Sequence, residues 1–410
     1  MFSSASLPAH LLARSSRVFP RVIPANARGR LARFNSTLAD IEASKVEVRV
    51  TSSPKTPPDT DAIPFGHSFT DHMLTIPWNA ATGWGAPQIQ PYGPFTMMPS
   101  SSVFHYATCL FEGLKAYRND LGKVTLFRPD MNMKRMNISA QRAALPNFDG
   151  DAVIELIKQL VRLDKHWIPN RPGYSLYIRP TLIGSQPAIG IHPSTEALLF
   201  VICTPAGPYF PQGFKPVALI PPTSLDPGTG AYKLGANYVS GLAAQSKAYK
   251  EGYVQNLWLH GPEHYVTEVG TMNAFATLKR PDGALELVTP PLDGMILAGI
   301  TRDSVLSLAR DHASGKSKMD GLPERLIVTE RSFTMSEVKQ AAQEGNLVEF
   351  FGTGTAATIS SVDRIGYLGE DVHIPTGPDG MGPVARAVFQ HLAGIQRGVV
   401  SHPWSVVVSE

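Results

Sequence analysis

The hydrophobic positions of this chain change their period along its length, and the changes mark its elements. Residues 151–167, DAVIELIKQLVRLDKHW, put Val153, Ile157, Leu160 and Val161 on one face at helical spacing, and NMKRMNISAQRAAL before them has the same period. LKAYR and KVTLF are β-type runs separated by an Asn-Asp and Gly turn region, which predicts a hairpin. YSLYIRPTLIG, ALLFVICTPAG and the stretches around Met73 and Thr96 read as strands, so the first part of the chain is a mixed α+β unit. Further on, strands (VALIPP, VQNLWLH, YVTEVG, NAFATL, NLVEFFG) alternate with predicted helices near 239–250, 301–313, 335–344 and 383–396.

Length and composition turn this pattern into an organisation. With 410 residues the chain is long enough for two domains with full cores. The polar, proline-bearing 40–64 reads as an extended lead-in, 65–206 as a small N-terminal domain, 207–216 as the interdomain connection and 217–410 as a large C-terminal domain. A cleft between two domains is the default place for a cofactor. No run approaches the roughly eighteen apolar residues of a membrane span. The two cysteines, Cys109 and Cys203, sit among apolar residues and predict buried, inert thiols rather than a disulfide framework.

The formal charge of +3 hides an asymmetry. Residues 1–39 hold six arginines (Arg14, Arg17, Arg21, Arg28, Arg30, Arg33) and no lysine or acidic residue, the composition of a mitochondrial transit peptide. A basic arm that stays attached is the competing reading. Without those six, the 37 basic residues become 31 against 34 acidic, about −3, so the body is mildly acidic and offers no nucleic-acid surface.

Two short blocks carry candidate chemistry. In GTGAYKLGANY, Lys233 stands among Gly, Ala and Tyr with no carboxylate nearer than Asp226. Such a lysine is either solvated in a turn or, if buried, easily neutralised into a nucleophile toward aldehydes. In YVTEVGTMN, Glu268 stands in a β-branched run and could aim a carboxylate from rigid backbone; alone, a Glu in such a strand is more often an edge or solvent-facing residue. The first turn of the helix after LAGIT offers the amides of Ile300 and Thr301 to an anion, and the Gly-rich FGTGTAA offers Thr355.

The identity and spacing of these blocks resemble the fold-type IV pyridoxal-phosphate enzymes, specifically the branched-chain amino-acid aminotransferases. FGHSFTDHM, FHYATCLFEGLKAY, LFRPDMNMKRM, YIRPTLIG, LAGITRDSV and FGTGTAA continue the match over about residues 60–395. The resemblance implies a two-domain α+β fold, a smaller N-terminal α+β domain and a larger β-barrel-like C-terminal α/β domain with the active site between them. It makes Lys233 the Schiff-base lysine and Glu268 the partner of the pyridine nitrogen. Tyr238 is given the ring hydroxyl, Arg128 with Ile300, Thr301 and Thr355 the phosphate, and Thr271 a further cofactor contact. For substrate it implies an apolar pocket of Phe65, Tyr106, Phe111, Tyr177 and Tyr209, with Ile191 entering from a second subunit. Arg179 is assigned the distal carboxylate of glutamate, and the amides of Ala356 and Ala357 the alpha carboxylate.

The activity implied is ping-pong transfer of an amino group between leucine, isoleucine or valine and 2-oxoglutarate, by a mitochondrial matrix homodimer that needs pyridoxal 5'-phosphate and no metal. Its small-molecule partners exclude nucleic acid and membrane. A D-amino-acid transaminase or aminodeoxychorismate lyase would share Lys233 and Glu268, although YIRP and EVGTMN suit them poorly; a catalytically idle cofactor-binding protein is the other alternative. One departure stands out: where vertebrate members carry a redox-active CxxC, this chain has Ala357 and Ser360.

Overall fold

The computed structural model describes residues 38–59, 63–207, 216–218 and 228–409. The arginine-rich segment, Tyr209 and most of the 207–216 connection lie outside the described residues. Residues 39–410 hold together as one unit, built on two large sheets.

The first sheet has ten strands. Its long axis is the antiparallel pair Ser175–Gly184 and Glu196–Ala206, flanked by His72–Asn79 on one side and the Leu114–Arg118, Val124–Phe127 hairpin on the other. Two helices cover it. Pro129–Arg142 starts on a proline, whose missing N–H is harmless at that position. Gly150–Leu163 is capped by the Asp149 carboxylate, which accepts from the amides of Asp151 and Ala152. Its buried residues Val153, Ile154, Leu156, Ile157, Leu160 and Val161 press into the core of this sheet.

The second sheet has eight strands, with Met272–Lys279 at its centre. That strand pairs with Leu347–Gly354 along one edge and with Tyr265–Val269, then Leu285–Thr289, along the other. Side chains of alternate residues leave a strand on opposite faces, and here both faces are buried. Ala274 and Ala276 enter one core, while Phe275 enters another formed with the helices Ile300–Ala313 and Pro383–Gln396. Phe275 and Phe351 face each other in register with their rings stacked, centroids 5.2 Å apart. Among the described residues no strand pair closes this sheet into a barrel. No helix among them is long and apolar enough to cross a membrane.

The expectations for Thr96 and Cys109 are corrected. The stretch around Thr96 forms no strand; Pro94 and Pro99 remove ladder donors there. Within the lead-in, Ile41 is buried in the first core and Glu47–Val48 pairs with Gln88–Pro91. Cys203 is buried, but Cys109 is only half-buried, and both are free thiols. The final strand Ser405–Ser409 crosses back to pair with Val124–Phe127, joining the end of the chain to the first sheet.

Phe275→Ala should remove both stacking and volume from the shared core and lower the unfolding free energy by about 3–5 kcal/mol. A urea midpoint that falls with an unchanged slope is the expected readout, and a loss under about 1 kcal/mol would contradict it.

Candidate active site

Lys233 is held by the first sheet and its covering helix although it lies between two strands of the second, Pro216–Ala218 and Gln255–His260. Its N–H donates to Ser139 Oγ at 3.0 Å, its carbonyl accepts from the Phe111 amide at 3.2 Å, and Leu234 bridges to Leu110. Asn237, in the helix Gly235–Ser240, fixes the preceding turn by donating to the carbonyls of Thr229 and Tyr232 at 2.7 and 2.8 Å. Nζ donates to the Tyr238 hydroxyl at 2.9 Å and lies 4.8 Å from the centre of the Phe111 ring. Burial, reinforced by the guanidinium groups of Arg135 and Arg179, brings the ammonium down to about 7, with Glu112 and Glu268 pulling the other way.

Glu268 stands on Tyr265–Val269, next to the turn into the central strand. Its Oε1 accepts from the amide of Leu297 and from Asn273 Nδ2, both at 3.1 Å. Burial pushes its carboxyl up to about 7 against the opposing pull of the Leu297 amide, Lys233 and Arg135. Burial also raises the Tyr238 hydroxyl, which therefore stays protonated.

These groups face a cavity of about 390 Å³. Phe65, Phe111, Tyr177 and Arg179 line it from the first sheet and its approach, and Lys233 and Tyr238 from the lysine segment. Glu268, Thr271, Ile300, Thr301, Thr355, Ala356 and Ala357 line it from the second. The helix Ile300–Ala313 begins at Gly299 with no side-chain cap, so its first amides are left for an anion. Arg179 lies over Phe111, its guanidinium carbon 4.4 Å from the ring centre, and donates to the Tyr177 hydroxyl at 3.1 Å. A smaller cavity of about 170 Å³ adjoins across Tyr238 and Glu268.

Some expected residues are elsewhere. Tyr106 is exposed and its hydroxyl donates to the Ile189 carbonyl, while Ile191 is 90% exposed; neither lines the cavity. Arg128 does not line it either. It precedes the helix Pro129–Arg142 with φ 47°, stacks over Trp404, donates to Ser304 Oγ at 2.8 Å and pairs with Asp303 at 2.7 Å. Of the two arginines in this motif, the one that lines the cavity is Arg135, two helical turns further on. It donates to both carboxylate oxygens of the fully buried Glu112 at 2.7 and 2.8 Å and to the Ala298 carbonyl at 2.9 Å. Arg128 is directed away because it stands outside the helix, whereas Asn132, Arg135 and Ser139 recur on the helix face turned to the site. Gln255, Asn273 and Thr353 also line the cavity and were not expected. Two buried polar atoms of the lining, Thr353 Oγ1 and Arg179 Nε, have no partner among the described residues.

An amine that gives up its charge, a carboxylate across the cavity and free amides at a helix start define the site of an aldehyde-cofactor transferase. A family model described as amino-transferase class IV matches residues 109–365, and the chain belongs to that family. Within it, the chain is a member of the branched-chain-amino-acid aminotransferases. It is 49% identical to the cytosolic branched-chain-amino-acid aminotransferase of Saccharomyces cerevisiae, over 91% of this chain and 99% of that one. It is 48% identical to the mitochondrial enzyme of the same yeast, over 92% and 95%. The mitochondrial enzyme of Rattus norvegicus is 45% identical, over 90% and 93%. The solved branched-chain amino acid aminotransferase of Escherichia coli shares the fold, with TM-score 0.65 at 23% identity, covering 83% of this chain and 99% of that one. The branched-chain amino acid aminotransferase of Thermobaculum terrenum, solved in its PLP-form, shares it too, with TM-score 0.65 at 22% identity over 83% and 99%.

An amine reacts as its free base, so Lys233 of the cofactor-free protein should gain reactivity as pH rises through about 7 and level off above it. Competitive labelling with an acylating reagent, read by peptide mass spectrometry, measures this. A midpoint near the ordinary lysine value of about 10.4 would show that the amine keeps its charge.

Proposed function

We propose that this chain transfers the amino group of leucine, isoleucine or valine to 2-oxoglutarate, and back, with pyridoxal 5'-phosphate as cofactor. The observation that carries this reading is an amine brought near neutrality in a cavity that also holds a buried carboxylate. The residues present suit the cofactor: unpaired donors remain at Thr353 Oγ1 and at the start of Ile300–Ala313, where an anion is the fitting occupant. When bound, the cofactor supplies an electron-poor ring that acidifies the substrate's alpha hydrogen and stores the amino group between the two half-reactions.

Lys233 Nζ would hold the aldehyde, and as a free base it would take and return the proton at the alpha carbon. Glu268, as a carboxylate, would keep the ring nitrogen protonated, and the Tyr238 hydroxyl would meet the ring oxygen. Arg135, Thr355 and the amides of Ile300 and Thr301 would hold the phosphate, with Thr271 beside the ring. The amides of Ala356 and Ala357 would receive the alpha carboxylate common to every substrate. Phe65, Phe111 and Tyr177 would take the aliphatic side chain, and Arg179 the distal carboxylate of glutamate.

Tyr106 and Ile191 fit this reading as surface that a second copy completes, for Phe104, Ile189 and Ile191 form an exposed apolar group. A homodimer is therefore part of the proposal. So is division at 65–206 and 217–410 into small and large domains joined by 207–216. Both cytosolic and mitochondrial enzymes stand among the relatives; the arginine-rich N-terminus favours the matrix.

A visible absorption band of the loaded protein should fall on adding L-leucine and return with 2-oxoglutarate, while D-alanine leaves it unchanged. Lys233→Ala should abolish this turnover with the far-UV circular dichroism intact, and retained transamination would refute the role of Lys233. Arg135→Leu should weaken the cofactor by tenfold or more, about the worth of a charged hydrogen bond, whereas Arg128→Leu should leave its affinity within about twofold. The reverse order would restore Arg128 to the phosphate.

A further inference from the structure

The two oxygens of Glu268 are treated differently by the protein. Oε1 receives two donors, the Leu297 amide and Asn273 Nδ2, while no group among the described residues is recorded donating to Oε2. Asn273 is 3% exposed and lines the cavity beside Glu268. Its Nδ2 also donates to the Leu297 carbonyl at 2.8 Å. Both neighbours of that nitrogen are acceptors, so the amide can stand only one way round, with NH2 toward Glu268. Its Oδ1 is packed where a side chain on residue 299 would stand, which accounts for glycine at that position. Asn273 is itself fixed, because its strand pairs Asn273 with Glu268 on one edge and with Thr353 on the other.

A carboxylate with one oxygen clamped by two donors cannot exchange its oxygens without breaking both bonds. Each donor also favours the ionised form of a group that burial drives toward neutrality. We propose that Asn273 is a positioning residue, which by clamping Oε1 presents Oε2 of Glu268, as an anion, to the ring nitrogen of the cofactor. The inference rests on the function proposed above and adds to it the residue that makes Glu268 effective. Asn273 touches no reacting atom in this assignment.

The test compares affinities for two probes, pyridoxal 5'-phosphate and its analogue with carbon in place of the ring nitrogen, by equilibrium dialysis against the cofactor-free protein. The wild-type chain should prefer the nitrogen-bearing form. Asn273→Ala should lower affinity for pyridoxal 5'-phosphate about tenfold, the worth of one hydrogen bond to a charged group, and leave the carbon analogue unchanged. Asn273→Asp keeps the shape and sets a like charge against Glu268, so it should show the same selective loss even if the alanine variant folds poorly. Equal weakening of both probes, or no weakening of either, would overturn the role of Asn273. A wild-type chain that binds both probes alike would instead remove the pairing of Glu268 with the ring nitrogen, so the two failures are told apart.

Discussion

Everything at this site depends on where one amine is forced to be. Lys233 lies at the junction of two sheets, where removing a charge from water costs several kcal/mol and only a close counter-charge offsets it. Carboxylates are present, but they are committed elsewhere. Glu112 is held by Arg135 through two hydrogen bonds and by Asn132 through a third. Glu268 is itself driven toward neutrality by burial. The nearest partner of Nζ is a tyrosine hydroxyl, and two guanidinium groups face the same cavity. The arginines keep their charge because guanidinium is far more basic than an amine. The lysine is therefore the cation that yields.

A strained balance of this kind survives only on rigid supports. The backbone of Lys233 is gripped from the first sheet and its helix, while Glu268 belongs to the second sheet, so the separation of the two groups is set by how the sheets are joined. Three kinds of joint do this. Tyr117 and Phe127 of the first sheet pack into the core that contains Phe275 and Phe351 of the second. Lys115, buried in the first sheet, donates to the carbonyl of Ala356 at 2.7 Å, so the Gly-rich loop is tied across the junction. The last strand returns to the first sheet, and Thr125 Oγ1 donates to the Gln396 carbonyl at the end of the final helix. Misplacing reactive groups by about 1 Å can cost a hundredfold in rate.

What the sequence reveals follows from the kind of constraint. The long helices and the hairpin are legible because each buries one face at a regular period. Lys233 and Glu268 are legible because blocks of unusual composition surround them. The arginine is harder. Arg128 and Arg135 lie in the same motif, and which one reaches the cavity depends on the residue at which the helix starts. A signal existed: Asn132, Arg135 and Ser139 put polar groups among Met133, Met136 and Ala140 on a buried face, and polar residues there need partners. Asn273 was hidden for another reason. It follows Glu268 by five residues in a strand–turn–strand, and only the register across that turn brings its amide against the carboxylate. Tyr106 and Ile191 have no role legible within a single chain, because one chain leaves them at its surface.

The division of donors within the cavity bears on selectivity. At a helix start and in the Gly-rich loop the donors offered to an anion include backbone amides, which cannot lose a proton near neutral pH. Groups shared by all substrates can be held there at the same strength whichever side chain follows. Under the proposed function, discrimination would fall to the wall of Phe65, Phe111 and Tyr177, and to Arg179 lying over it. A guanidinium stacked on an aromatic face presents its flat, weakly hydrated side to that ring and keeps its edge nitrogens for an acid. Nε of Arg179 is buried and unpartnered, and one nitrogen is turned to the Tyr177 hydroxyl. Under the proposed function, this arrangement would let one pocket meet a hydrocarbon with its aromatic rings and a carboxylate with the guanidinium nitrogens of Arg179.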